Sequence, residues 1–129
     1  MENRSVLKRV KIETDYGYPN RPRQNAYVID LEKGFKSVTT CSFSRELQKK
    51  IIEKKKDRLN KPYEYFIEAY HNVVDIINNE DVESYMICDY SIKITFVFDH
   101  FKVEANGGVA VNEKSISNIG HEIIDEVFG

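Results

Sequence analysis

The residues of this 129-residue chain best suited to holding a ligand lie in segment 15–27, DYGYPNRPRQNAY, which brings Tyr16, Tyr18, Arg21 and Arg23 close together. Arginine presents a planar fork of donors that matches phosphate or carboxylate in a bidentate fashion, and tyrosine adds a flat face and a hydroxyl. Pro19 and Pro22 fix φ and lower the entropy lost when the segment adopts a bound shape. These four residues are the candidate ligand-binding set, and their chemistry calls for an anion. Against this, a connection rich in Pro, Gly and Asn is also what an ordinary long loop between two strands looks like.

A second basic stretch, QKKIIEKKKDR at 48–58, places Lys49, Lys50, Lys54, Lys56 and Arg58 on a helix expected over about 45–58. Such a face can neutralise phosphates of a nucleic acid. Glu53 and Asp57 interrupt it, and the sequence pI is about 5.9, which favours a solvated helix face instead.

Other chemistry is thinly represented. His121 and Asp125 stand at i and i+4, but no CxxC, HExxH or EF-hand pattern accompanies them, so neither a metal nor a cofactor is expected. Cys41 and Cys88 fall in strand-like, apolar contexts, where a thiol packs as a small hydrophobe and is not a nucleophile. Glu80, Asp81 and Glu83 read as a solvated connection between elements. No acid, base and nucleophile grouping emerges, so no catalytic residue is assigned.

Charge is unevenly distributed. Residues 1–62 carry 16 Lys and Arg against 8 Asp and Glu, whereas residues 63–129 carry 3 against 13, for a net charge of −2. Either the two halves neutralise each other, or a basic face is offered to an anionic partner, including the acidic face of a second copy. The opening MENRSVLKRV lacks the apolar run of a secretory signal, and no stretch approaches the roughly 20 apolar residues of a membrane-spanning helix. A reduced, cytoplasmic setting without membrane contact is therefore expected. The abundance of Lys, Ile, Asn and Tyr suits an AT-rich genome, such as that of a low-GC bacterium or its phages.

These residues must be positioned by elements that the hydropathy pattern suggests. Val6, Val10 and Ile12 alternate with charged residues along a first strand. Tyr27, Ile29 and Leu31 mark a second strand, Gly34 a turn and FKSVTTCSF the returning strand of a hairpin. After the helix over 45–58, a second helix begins at Pro62 with Tyr63, Phe66, Ile67, Tyr70, Val74 and Ile77 as its apolar stripe, widened by Tyr65, Ala69, Val73 and Ile76. Period-two alternation returns from Ser84 to Phe98, and its change of phase after Asp99-His100 requires a bulge or tight hairpin. Asn106-Gly107 reads as a type I′ turn, and Asn112 as the cap of a last helix carrying Ile116, Ile119, Ile123 and Val127.

The expected fold class is a single α+β domain over 1–129, with a largely antiparallel β-sheet, two consecutive central helices and a C-terminal helix. The function expected of it is that of a non-catalytic binding or regulatory module engaging a nucleotide-like small molecule or an acidic protein surface, for example as a phage- or mobile-element-encoded inhibitor, and self-associating as a homo-oligomer. The alternatives are a small enzyme acting on a phosphorylated substrate and a nucleic-acid-binding protein that uses the basic helix at 45–58.

Overall fold

The computed structural model describes residues 5–16, 23–44, 49–78, 90–107 and 115–129. Six strands form one antiparallel sheet: β1 (Leu7–Tyr16), β2 (Arg23–Asp30), β3 (Phe35–Ser44), β4 (Lys49–Arg58), β5 (Tyr90–Phe98) and β6 (Lys102–Gly107), in the order β4-β3-β2-β1-β5-β6. Helix α1 (Tyr63–Asn78) follows β4, and helix α2 (Ile116–Ile123) runs into a π-helical turn at Ile124–Phe128. The fold is thus α+β and mostly sheet. Among the described residues no helix is long and apolar enough to cross a membrane.

Period-two patterning puts Val10 and Ile12 of β1, Ile29 of β2, Ile92, Ile94 and Phe96 of β5 and Ala105 of β6 on one face. They form a single buried cluster with Phe66, Ala69 and Val73 of α1 and Ile116, Ile123 and Val127 of the C-terminal segment. The core is centred on β1 and β5, and among the described side chains none of its fully buried residues comes from β3 or β4. Tyr70 joins helix to sheet, its ring packing edge-on against Phe96 at 5.3 Å and Phe98 at 4.8 Å. Lys36 of β3 donates to the carbonyl of Val127, placing a cation at the C-terminal end of the last helical segment.

The β2–β3 hairpin forms as its local chemistry dictates. Gly34 takes φ 73°, and the Asp30 side chain accepts hydrogen bonds from the amides of Glu32 and Lys33 at 3.1 and 3.0 Å. The phase change after Asp99-His100 is a tight β5–β6 hairpin, with the Phe98 amide donating to the Phe101 carbonyl at 2.8 Å.

Several expectations are corrected. Segment 49–58 is strand β4, not a helix, so only one helix stands between β4 and β5 among the described residues. Its lysines and isoleucines tolerate either state, and ten cross-strand pairs with β3 decide for the sheet. In β1 a register shift between Leu7 and Arg9 turns Leu7 into the core and leaves Val6 exposed, because one extra residue exchanges the faces.

The buried stripe of α1 is Phe66, Ala69 and Val73, while Tyr63 and Ile77 lie outside it. Tyr63 instead accepts the Leu7 amide on its hydroxyl at 3.0 Å. Asn106 and Gly107 are not a turn but the last residues of β6, paired with Lys93 and Ile92. The cap of α2 is Ser115, whose side chain accepts from the Asn118 amide at 3.1 Å. The expected strand segment 84–89 and the expected cap Asn112 lie outside the described residues.

Candidate binding surface

Each strand lends its other set of side chains to the face opposite the helices. There Arg9, Lys11, Glu13 and Asp15 of β1 stand beside Gln24 and Ala26 of β2, Thr39 and Cys41 of β3, and Ser91 and Lys93 of β5. Except for Thr95, the described side chains on this face are half-buried or exposed. Polar residues here need no covering layer, because an antiparallel sheet can keep one face in water.

The face has two distinct regions. Near the ends of the strands is a depression of about 380 Å³. Two cross-strand rows line it: Cys41–Gln24–Asp15–Ser91 and Thr39–Ala26–Glu13–Lys93–Asn106. Glu13 is paired with Lys11 at 3.4 Å, Asp15 accepts from the Gln24 side chain at 3.4 Å, and Lys93 faces Glu104 at 3.5 Å. Glu104 is held below the usual carboxylate range by its hydrogen bond and attraction to Lys102 and by the charge of Lys93. The charges of the depression are thus largely matched by their neighbours.

The second region is the β3–β4 margin. Phe35 opposes Arg58, Ser37 opposes Lys56 and Thr39 opposes Lys54, so three cations stand in a row about 7 Å apart on the open face, each beside a β3 side chain. Every side chain from Ile52 to Arg58 is exposed, on both faces of the strand. Among the described residues, Lys54, Lys55, Lys56 and Arg58 make no ion pair. Lys56 Nζ rests 4.6 Å from the centre of the Phe35 ring, which steadies the head group without neutralising it.

Charge is also separated by layer. The helical segments contain Glu64, Glu68, Asp75, Glu122, Asp125 and Glu126 but no lysine or arginine. Among the described residues the basic and acidic halves of the chain meet in the ion pairs Lys61–Glu126 at 3.7 Å and Lys8–Asp99 at 3.3 Å. Tyr65 sits beside Glu126, and burial, reinforced by a hydrogen bond to Glu126 and by the charges of Glu126 and Glu122, pushes its hydroxyl far above the usual tyrosine value.

Of the sequence-derived ligand set, Tyr16 and Arg23 are opposed in register at the ends of β1 and β2, one pair beyond Asp15 and Gln24 at the depression. Tyr18 and Arg21 lie outside the described residues. Cys41, expected on an apolar face, is half-buried on the open one, and Cys88 is outside the described residues. No group of three or more His, Cys, Asp or Glu among the described residues is arranged to hold a metal ion. Sequence patterning makes 49–58 a helix with its lysines on a solvated face, and so misses that the run is an edge strand. The signal that would have found it is a lysine-rich run without a sustained apolar stripe, the mark of a protected edge strand. No protein-family model matches the chain, and no curated protein is significantly similar to it in sequence.

Proposed function

We propose that this chain is a non-catalytic binding module that engages an anionic partner through the open face of its sheet. The observation that carries this reading is the row Lys54, Lys56 and Arg58, exposed and without ion pairs among the described residues, on a chain whose net charge is −2. Cations on the rim of a surface accelerate encounter and exclude partners of like charge. The row runs from Arg58 toward the depression. Tyr16, Tyr18, Arg21 and Arg23 are proposed, on residue type alone, as a separate set of anion contacts. An acidic protein surface suits this layout better than a small nucleotide, because the depression itself presents Glu13 and Asp15. Occupying such a target without chemistry is inhibition by sequestration, which is the regulatory role this reading assigns.

The test is binding of fluorescent polyglutamate at low ionic strength to the protein and to its Lys54→Glu, Lys56→Glu and Arg58→Glu variants. The expected result is salt-sensitive binding, weakened about tenfold or more by the triple reversal. Unchanged affinity after triple reversal, with the fold intact by circular dichroism, overturns the reading.

A second reading, self-association, is favoured by the acidic helical layer opposite a basic sheet margin. Head-to-tail contact of the two surfaces makes a heterologous interface. Sedimentation as a function of salt tests it: oligomers that persist at low salt and dissociate at high salt support it, and a monomer throughout overturns it.

A further inference from the structure

β4 is the terminal strand of the sheet, so one of its two backbone edges has no partner strand among the described residues. The Leu59 amide donates to the Gly34 carbonyl at 2.9 Å, one step beyond the Phe35↔Arg58 pair. This fixes the phase of the ladder. Antiparallel pairs alternate between those that exchange both hydrogen bonds and those that exchange none. Gly34 opposite Leu59 belongs to the bonded class, so Phe35 opposite Arg58, Ser37 opposite Lys56, Thr39 opposite Lys54 and Cys41 opposite Ile52 belong to the other. The amides and carbonyls of Ile52, Lys54, Lys56 and Arg58 therefore point away from β3, toward the edge that no described strand occupies. The residues that offer their backbone outward are the same ones that carry the cationic row.

From this coincidence we infer that β4 receives an extended acidic segment of a partner protein as a seventh, antiparallel strand, with acidic side chains at alternate positions opposite Lys54, Lys56 and Arg58. The inference rests on the anionic-partner reading above and names the partner's form. Strand addition takes its affinity from main-chain hydrogen bonds and its selectivity from alternate side chains. Opposite charges directly across an antiparallel pair are favourable, and like charges are not.

The same register excludes a second copy of β4. Twofold edge pairing is antiparallel and brings outward-pointing residues opposite outward-pointing residues, and in β4 these are Ile52, Lys54, Lys56 and Arg58, with no acid among them. Lysines on an edge strand are a known defence against such pairing, and the defence is also a selection for acids. A nucleic acid fits less well. Its backbone offers acceptors alone where the β4 edge alternates donors with acceptors, and Glu53 and Asp57 flank the lysines on the other face.

The experiment measures binding of a labelled ten-residue peptide alternating Glu with Thr and Val. One version is N-methylated at the glutamates, whose amides face β4, and another at the intervening residues, whose amides face away. Binding is expected for the parent peptide and the second version, and an affinity lower by about tenfold or more for the first, as for the protein variant Lys56→Pro, which removes an outward amide and leaves the β3 ladder whole. Equal binding of both methylated versions, or of a peptide with the same residues and its glutamates in one block, overturns strand addition while polyglutamate binding keeps the anionic-partner reading standing. Tighter binding of a single-stranded oligothymidylate overturns it in favour of nucleic acid. Failure of every anion, polyglutamate included, removes both readings together.

Discussion

Lys56 and Phe35 meet diagonally across the β3–β4 ladder, the Lys56 ammonium 4.6 Å from the centre of the Phe35 ring. The contact anchors the middle of the basic row to the strand beside it, on a margin where Lys56 makes no ion pair with another described residue. Replacing Phe35 with leucine keeps an apolar side chain and removes the ring quadrupole. A loss of about 0.5–1 kcal/mol in urea unfolding is expected. A double-mutant cycle with Lys56→Met checks that the loss belongs to the pair: once Lys56 is gone, Phe35→Leu should cost less.

Thr14 lies on the core face of β1, 4% exposed, and its hydroxyl has no hydrogen-bond partner among the described residues. A buried, unpaired hydroxyl costs stability, and valine has nearly the same shape without it. Thr14→Val is expected to stabilise the fold by about 1 kcal/mol, seen as a higher urea midpoint at constant slope. A destabilised variant would show that the hydroxyl has a partner after all.

Gly107 ends β6 where α2 begins to pass over the sheet. A Cβ built there stands 3.0 Å from the backbone nitrogen of Ser117 and 3.2 Å from Cβ of Ile116. Alanine is otherwise the better residue in a strand interior, so propensity and packing predict opposite signs. Packing decides, because the nearest atom is main chain and cannot rotate away. Gly107→Ala should lower stability by about 1–3 kcal/mol, measured by thermal or denaturant unfolding.

Asp99, in the β5–β6 turn, accepts the Val6 amide at 3.2 Å and pairs with Lys8 at 3.3 Å. The Val6 hydrogen bond, followed by Lys8, holds its carboxyl below the ordinary aspartate value of 3.8. A carboxylate with a depressed pKa in the folded state contributes stability above its unfolded pKa and loses it as pH falls through the folded one. Wild type and Asp99→Asn should therefore differ in melting temperature at pH 6 and converge as the pH drops below the ordinary aspartate range. A difference that persists undiminished at the lowest pH would show that geometry, not charge, carries the effect.

How far these features were legible from sequence depended on whether the deciding interactions were local. The β2–β3 turn was readable because Gly34 and Asp30 settle it within five residues. The β5–β6 hairpin was readable because a switch of alternation has few physical solutions. Segment 49–58 was not, since its lysines and paired isoleucines suit a helix as well as an edge strand, and the decision rests on its pairing with β3. Asn106-Gly107 carries a strong turn signal, yet Gly107 is required by the close approach of α2, a demand that no neighbour in sequence announces. The Tyr/Arg set was legible as composition, whereas the cationic edge was not, because exposure on both faces of β4 follows from its place at the margin of the sheet.

By itself the sequence determined the α+β class, the apolar faces of β2 and β5, the β2–β3 and β5–β6 turns and the separation of basic from acidic halves, all consequences of residue type, period and short-range geometry. Only the tertiary structure decided that β4 is a strand, that it lies at an edge, and that its outward amides and its cations coincide. Each of these depends on which distant segment pairs with which, and hydrogen bonds and contacts made across the fold override the preferences a chain carries locally.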